Sequence, residues 1–242
     1  MTKALDHRIR VAAIRREEMQ LHLLFTGLIL AADTSIHELE VEDIIRHAAV
    51  SRGSFYNYFQ SLPALYDSLA RQLMQELEEM ADGLISHSPN IAVRLGSRIR
   101  ILMRLLVDFP ILGRFVTQLQ WPNQNPESEL FKSIIRDIEL GIKEEQFANM
   151  PPSIGVNIAI GSLIGGVHTM LSQRTATGFE DKVTNQVLLG LGLKADAAAI
   201  ACATPLQART SLPKTGLLGR LSNLEPSSDL DQAGTRGHQC QK

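Results

Sequence analysis

The sequence predicts an all-α protein, with an N-terminal three-helix domain built around a helix-turn-helix and a larger helical domain after it. Three observations carry this expectation. From Ile91 onward no segment alternates apolar and polar residues as a strand does, and before it Leu21, Leu24, Leu28 and Ala31/Ala32 recur at helical spacing. Two short helical segments meet at the tight break Ala49-Val50-Ser51. From Ile91 onward, Pro110, Trp121-Pro122, Pro126, Pro151-Pro152 and Gly178 divide a succession of further helical pieces.

The bulk properties bound what such a protein can do. At 242 residues the chain holds one large domain, or a small one joined to a larger one. A hydrophobic content of 44% against 21% charged residues is enough to bury a core. The formal net charge of -2 offers nucleic acid no overall attraction, so such a partner must be met by a local patch. Cys202 and Cys240 lack paired spacing, which argues against a disulfide scaffold or a Cys-ligated metal and fits a reducing cytoplasm. The run LLFTGLILAA (23–32) has the look of a signal-peptide core. However, Arg15-Arg16-Glu17-Glu18 precede it and Asp33 follows without a cleavage pattern, so it reads as a buried helix.

Taken in order, the first 20 residues are polar, with Lys3, Arg8, Arg10, Arg15 and Arg16 against Asp6, Glu17 and Glu18. Residues 1–18 are read as a basic arm leading into a helix that ends near Asp33-Thr34. The second helix turns Val41, Ile44, Ile45 and Ala48 inward, and Glu38, Glu40, Glu42 and Asp43 crowd its positive end. Ser51 is a good N-cap for a short third helix, about 51–58. Ser61 caps a long fourth helix that accepts Pro63 in its first turn and runs to about Ile85. SHSPN (86–90) makes a joint, and the following helices are expected at about 91–108, 111–119, 126–147, 152–173, 179–192 and 195–204. Arg94, Arg98, Arg100 and Arg104 read as a solvated face with one or two ion pairs. After Leu206 the composition turns to Ser, Gly, Pro and Gln, apart from LLGRL (217–221), and disorder is expected over 207–242. The domain limits follow as 1–66, 67–206 and the tail 207–242.

The stretch VSRGSFYNYF (50–59) carries the chemistry. Phe55 and Phe59 stand four apart on an inner face, with Val50 set against Ile44 and Ile45. The outer side collects Arg52, Ser54, Tyr56, Asn57 and Tyr58, hydrogen-bonding groups suited to a DNA major groove. Gly53 removes a side chain where a duplex would approach closely. Arg52 either forks onto guanine O6/N7 or touches phosphate alone, while Ser51, Tyr56, Asn57, Tyr58 and Ser61 reach the height of phosphates. A plain short helix whose tyrosines pack on neighbours is the blander alternative. A solvated face rarely carries Tyr-Asn-Tyr in succession without a partner, which favours the DNA reading.

With these residues, VEDIIRHAAVSRGSFYNYFQSLPALYDSL (41–69) resembles the DNA-binding signature of the TetR family of bacterial transcriptional repressors. Ala48, Val50, Ser51, Tyr56, Phe59, Ser61 and Leu65 match the family pattern. Ala49 replaces the usual turn glycine, Glu40 a threonine and Leu62 a lysine, so phosphate contacts are lost that Arg8, Arg10, Arg15 and Arg16 would have to restore. Beyond residue 90 the resemblance is architectural, although 187–206 is similar to many family C-termini.

The resemblance implies a cytoplasmic homodimeric repressor on a palindromic double-stranded operator, released by a small, mostly apolar effector and needing no cofactor. The implied pocket would draw its walls from Leu105, Leu106, Phe109, Phe115, Trp121, Phe131 and Met170, with Gln118, Asn123 and His168 as polar contacts. Plain core packing is an equally good account of each of them. The implied dimer interface involves Gly161, Gly165, Gly166, Val187 and Leu188. The uncharged run 151–173 is also long enough to span a bilayer, although Asn157, Ser162, His168, Ser172 and Gln173 oppose that alternative. An enzyme or a purely structural bundle is the other rival. The sequence has no Glu-x-x-His pair, His cluster, Gly-rich phosphate loop or nucleophile elbow, so no catalytic or metal-binding residue is assigned.

Overall fold

The computed structural model describes residues 2–85, 88–119, 132–206 and 212–224, and the regular elements among them are all α-helices. They are α1 (Thr2–Asp33), α2 (Val41–Ala48), α3 (Arg52–Tyr56), α4 (Leu62–Leu84), α5 (Ile91–Asp108) and α6 (Pro110–Gln118). After these come α7 (Lys132–Lys143), α8 (Pro152–Ser172), α9 (Phe179–Gly190), α10 (Ala195–Ala203) and α11 (Gly216–Ser222). The N-terminal arm is therefore no separate strand of chain but a helical extension of α1.

The first three helices close on one another and on α4 through Leu23, Leu24 and Leu28 of α1, Ile44 and Ala48 of α2, Phe55 and Phe59, and Leu65 and Leu69 of α4. At Gly27, α1 and α4 touch so closely that a Cβ would lie 2.7 Å from Leu65 Cδ2. Glu40 begins α2 with its backbone N–H donating to the Asp43 carboxylate at 3.0 Å, so the first turn is held by the acidic residues gathered there. His22 Nε2 lies 3.0 Å from the Ala48 carbonyl oxygen and ties α1 to the last turn of α2.

Ala49 itself adopts the left-handed turn conformation, with φ 52 and ψ 40. Its N–H donates to the Arg46 carbonyl at 3.3 Å and the Val50 N–H to that of Ile45 at 3.2 Å, so the turn closes as it would with glycine. The cost is a Cβ in a crowded region of backbone space. Ala49→Gly is accordingly expected to raise folding stability by about 1 kcal/mol, read as a higher urea midpoint with an unchanged slope.

In the second domain α5 occupies the middle, packed against α4, α6, α7, α8, α9 and α10. This placement corrects the expected solvated face. Arg98 and Arg100 are buried, at 4% and 5% exposure, because the helices packed around α5 cover these two side chains, whereas Arg94 and Arg104 keep part of theirs in solvent. They are paired instead. Arg98 Nη1 lies 2.7 Å from Asp82 Oδ1 and 3.5 Å from Glu78 Oε2, with Nε 3.9 Å from Asp137 Oδ2. Arg94 Nη2 meets Asp137 Oδ1 at 2.8 Å, Arg100 pairs with Asp181, and Arg104 Nε donates to Glu180 Oε1 at 2.9 Å.

Helix α8 is long and apolar enough to cross a membrane by composition. It is nonetheless packed against α5, α6, α7 and α9, with Ala159, Ile160, Leu163 and Val167 buried along its inner side. Its outer side carries Ile154, Gly161, Gly165 and His168, all exposed. Gly166 lies on the inner side, where a Cβ would meet Met103 Cε at 2.6 Å. Val187 and Leu188 are likewise buried within the protomer. A helix apolar all round gives no sign of which face turns outward, so three of the five residues assigned to a dimer interface belong to the protomer's own core.

The tail holds a further correction. Residues 216–222, within the stretch expected to be disordered, form α11 and dock on α4 and α1. Leu217, Leu218 and Leu221 share one face and are fully buried. The Glu76 carboxylate of α4 accepts the Leu217 and Leu218 backbone N–H groups at 3.0 and 2.9 Å. LLGRL is apolar against its surroundings, but whether so short a face is ordered depends on the α4 and α1 surface that receives it. Residues 207–211 and 225–242 lie outside the described residues.

Candidate nucleic-acid interface

The reading head is assembled from the N-cap outward. Ser51 Oγ accepts the Ser54 backbone N–H at 3.0 Å and lies 2.8 Å from Ser54 Oγ, so both serines fix the start of α3. Phe55 is fully buried beneath it, edge-on to Tyr56 at a centroid distance of 5.4 Å and 6.0 Å from Phe59. These anchors leave Arg52, Gly53, Tyr56 and Asn57 exposed, with Tyr58 half-buried. A Cβ at Gly53 would meet only Ser51 Oγ, at 3.9 Å, so nothing inside the protomer demands glycine there.

Helix α3 is shorter than expected, since Asn57 is its C-cap and Tyr58 stands in the following turn. The two side chains thus leave the helix at its end and face α1. Between them and α1 runs a groove of about 840 Å³, lined by His7, Val11, Ala12, Arg15, Arg16, Met19, Asn57 and Tyr58. Two guanidiniums on one wall and two hydrogen-bonding side chains on the other suit a polyanionic strand. Ser61 Oγ accepts the Ala64 N–H at 3.3 Å and is spent on capping α4, although it remains exposed. His7 and Met19 were missed because the arm was read as polar chain, and only its continuing helical phase would have placed them.

Arg52 is the most constrained of the exposed groups. Its Nη1 lies 2.7 Å from Glu42 Oε1, and its guanidinium sits 5.9 Å from the centroid of the Tyr56 ring. Hydrogen bonding to Tyr56 and then the Glu42 charge raise its pKa above the ordinary arginine value.

Those of the nominated effector-pocket residues that lie among the described ones occupy different settings. Leu105 and Phe115 are core, the latter ring lying 6.2 Å from that of Tyr66. Phe109 and Met170 are half-buried at its margin, and His168 is exposed on the outer side of α8. Trp121, Asn123 and Phe131 lie outside the described residues. Gln118 has another use: its Oε1 accepts the Ile36 N–H at 2.9 Å and its Nε2 donates to the Ala31 carbonyl. With Arg114 Nη1 3.4 Å from Asp33 Oδ1, it fastens α6 to the joint between α1 and α2. Gln118→Ala is expected to cost about 1–3 kcal/mol, with faster amide exchange at residues 34–39 as the local readout.

The comparisons with known proteins bear on the same region. Residues 23–69 match the bacterial regulatory proteins of the tetR family. The chain is a TetR-family protein. As such it is a DNA-binding transcription regulator with a helix-turn-helix domain. The TetR-family likeness extends beyond the matched segment in fold. A structure of RolR in complex with resorcinol, at 21% identity, superposes with a TM-score of 0.61 over 81% of this chain and 98% of that one. A TetR-family transcription regulator from Marinobacter aquaeolei VT8 gives 0.62 at 15% identity, over 74% and 98% of the two chains. The fatty acid degradation regulator FadR from Bacillus halodurans gives 0.55 at 18%, over 71% and 93%. No protein of curated function matches the chain by sequence.

Proposed function

We propose that this regulator is a homodimeric repressor that binds a palindromic operator through residues 51–58 and is released by a small, mostly apolar effector. The observation that carries the reading is the exposed set Arg52, Tyr56 and Asn57, held on a rigid core beside the basic groove of α1. Residues 1–66 would form the DNA-binding unit and 67–206 the effector and dimerisation unit. Departures at Glu40 and Leu62 remove family phosphate contacts, and the position of Arg15 and Arg16 in the groove beside Asn57 and Tyr58 supports a compensating role for them.

The dimer is read from α8, whose outer side offers Ile154, Gly161, Gly165 and His168 to a second copy. A Cβ at either glycine would meet nothing within 4 Å in the protomer. Paired protomers would set two recognition helices about 34–36 Å apart, in successive major grooves. RolR, a neighbour in fold, holds resorcinol, which supports a small effector for this chain. Its binding must favour the spacing that does not fit DNA, and coupling of about 1–3 kcal/mol is typical. Gln118 and Arg114 give that strain a path from α6 to the α1–α2 joint.

Selection from randomised DNA with the purified protein tests the reading. An enriched palindrome is the expected result, and Tyr56→Ala weakens binding to it about tenfold per protomer without altering the oligomeric state. Recovery of no palindrome would overturn it.

A further inference from the structure

Glu42 is out of place by the logic of a phosphate-binding surface. It sits exposed in the first turn of α2, beside the recognition helix, where a carboxylate repels the duplex backbone. Stability explains it only in part, because a first-turn carboxylate gains modestly from the helix dipole and an exposed ion pair adds little. Its neighbour Asp43 is already spent on Arg46 Nη2 at 2.6 Å and on the Glu40 N–H. Glu42 has one partner, Arg52, and its second oxygen, Oε2, makes no hydrogen bond or ion pair among the described residues.

We propose that Glu42 and Arg52 act as one base-reading unit, with Glu42 a positioning and specificity-determining residue of the operator interface. The inference rests on the recognition role given above to residues 51–58. An unrestrained arginine at the rim of a groove falls onto the nearest phosphate, which carries no sequence information. Here the Glu42 carboxylate holds Nη1 and the Tyr56 ring lies beside the guanidinium, so fewer rotamers remain to be lost on binding. The N–H groups engaged by neither Glu42 nor Tyr56 are left to fork onto guanine O6 and N7. Oε2 is then an acceptor beside that fork. In the major groove it is satisfied by the exocyclic amine of cytosine or adenine, and repelled by guanine O6, thymine O4 and phosphate. The unit therefore selects guanine at one position and an amine-bearing base beside it. Glu42 gives up some total affinity for discrimination, which is how a repulsive group earns a place at an interface.

The test uses the full chain and randomised operators, comparing wild type, E42A and R52A by per-base preference and by affinity for unrelated duplex. E42A is expected to bind unrelated DNA more tightly. It should also lose about tenfold in the ratio of specific to non-specific binding, with preference flattened at one guanine and its neighbour in each half-site. R52A should flatten the same guanine. Both variants should keep the wild-type melting temperature. If E42A strengthens binding to every sequence by one factor and leaves the profile unchanged, Glu42 is only a repelling charge and the proposal fails. An R52A profile identical to wild type also overturns it, while Tyr56→Ala still tests the recognition helix independently. Absence of any enriched site for wild type would remove the operator reading and this unit together.

Discussion

Replacing Arg98 with alanine is expected to cost about 3–5 kcal/mol of folding stability, the range for breaking a buried ion pair by removing one partner. The size follows from what is left behind. Asp137, with its side chain at 2% exposure, and Glu78, at 16%, would keep their charges with little hydration. Arg94 still holds Asp137 Oδ1, and Ser133 Oγ donates to Glu78 Oε2, but neither replaces the guanidinium between the two carboxylates. Asp82, more than half exposed, hydrates freely and adds little to the loss. A domain of ordinary stability has about 5–15 kcal/mol in total, so the variant would be partly unfolded under mild denaturant. The urea midpoint is the measurement. Arg114→Ala is the control, because its side chain is 54% exposed and that of its partner Asp33 77%, so the pair is worth at most about 1 kcal/mol. Equal losses for the two variants would show that burial does not set the energetics of these ion pairs.

The same cluster marks a boundary between what the chain discloses locally and what only packing decides. The reading head was legible because its determinants are near neighbours in sequence. Ser51 caps the helix that Phe55 anchors, and Val50 closes the turn against a helix ending at Ala48. The arginines of α5 were not legible in this way. Four arginines spaced along a helix look solvated until the number of surrounding helices is known, and that number depends on segments 40 to 100 residues away. Gln118 is a similar case. A lone Gln in an apolar helix suits a pocket, yet its partners Ile36 and Ala31 lie 82 and 87 positions back in the chain. For α8 the difficulty is phase rather than distance. With apolar residues on every side, the sequence could nominate Gly161, Gly165 and Gly166 together, but not say that the last faces inward.

Leu218→Asp is the second large effect expected, and it concerns the element that composition concealed. The substitution places a charge among fully buried leucines, so α11 must leave its groove rather than adapt. The cost then equals the docking free energy of the segment. Burial of Leu217, Leu218 and Leu221 at about 1.5–3 kcal/mol each favours docking, and ordering the backbone at about 1–2 kcal/mol per residue opposes it. The Glu76 carboxylate tips this balance. Hydrogen bonds to a charged acceptor are worth about 1.5–3 kcal/mol, and it receives two from the first turn of α11. Gly216 makes the arrangement specific, since its φ of 74 suits glycine and a Cβ there would collide with that carboxylate. A net loss of about 2–3 kcal/mol is expected, or roughly 5–10 °C in melting temperature for a chain of this size. Glu76→Ala should produce most of the same loss, and combining it with Leu218→Asp should add almost nothing, because both act by releasing one segment. Additive losses would mean that Glu76 stabilises α4 independently, and that α11 is held by its leucines alone.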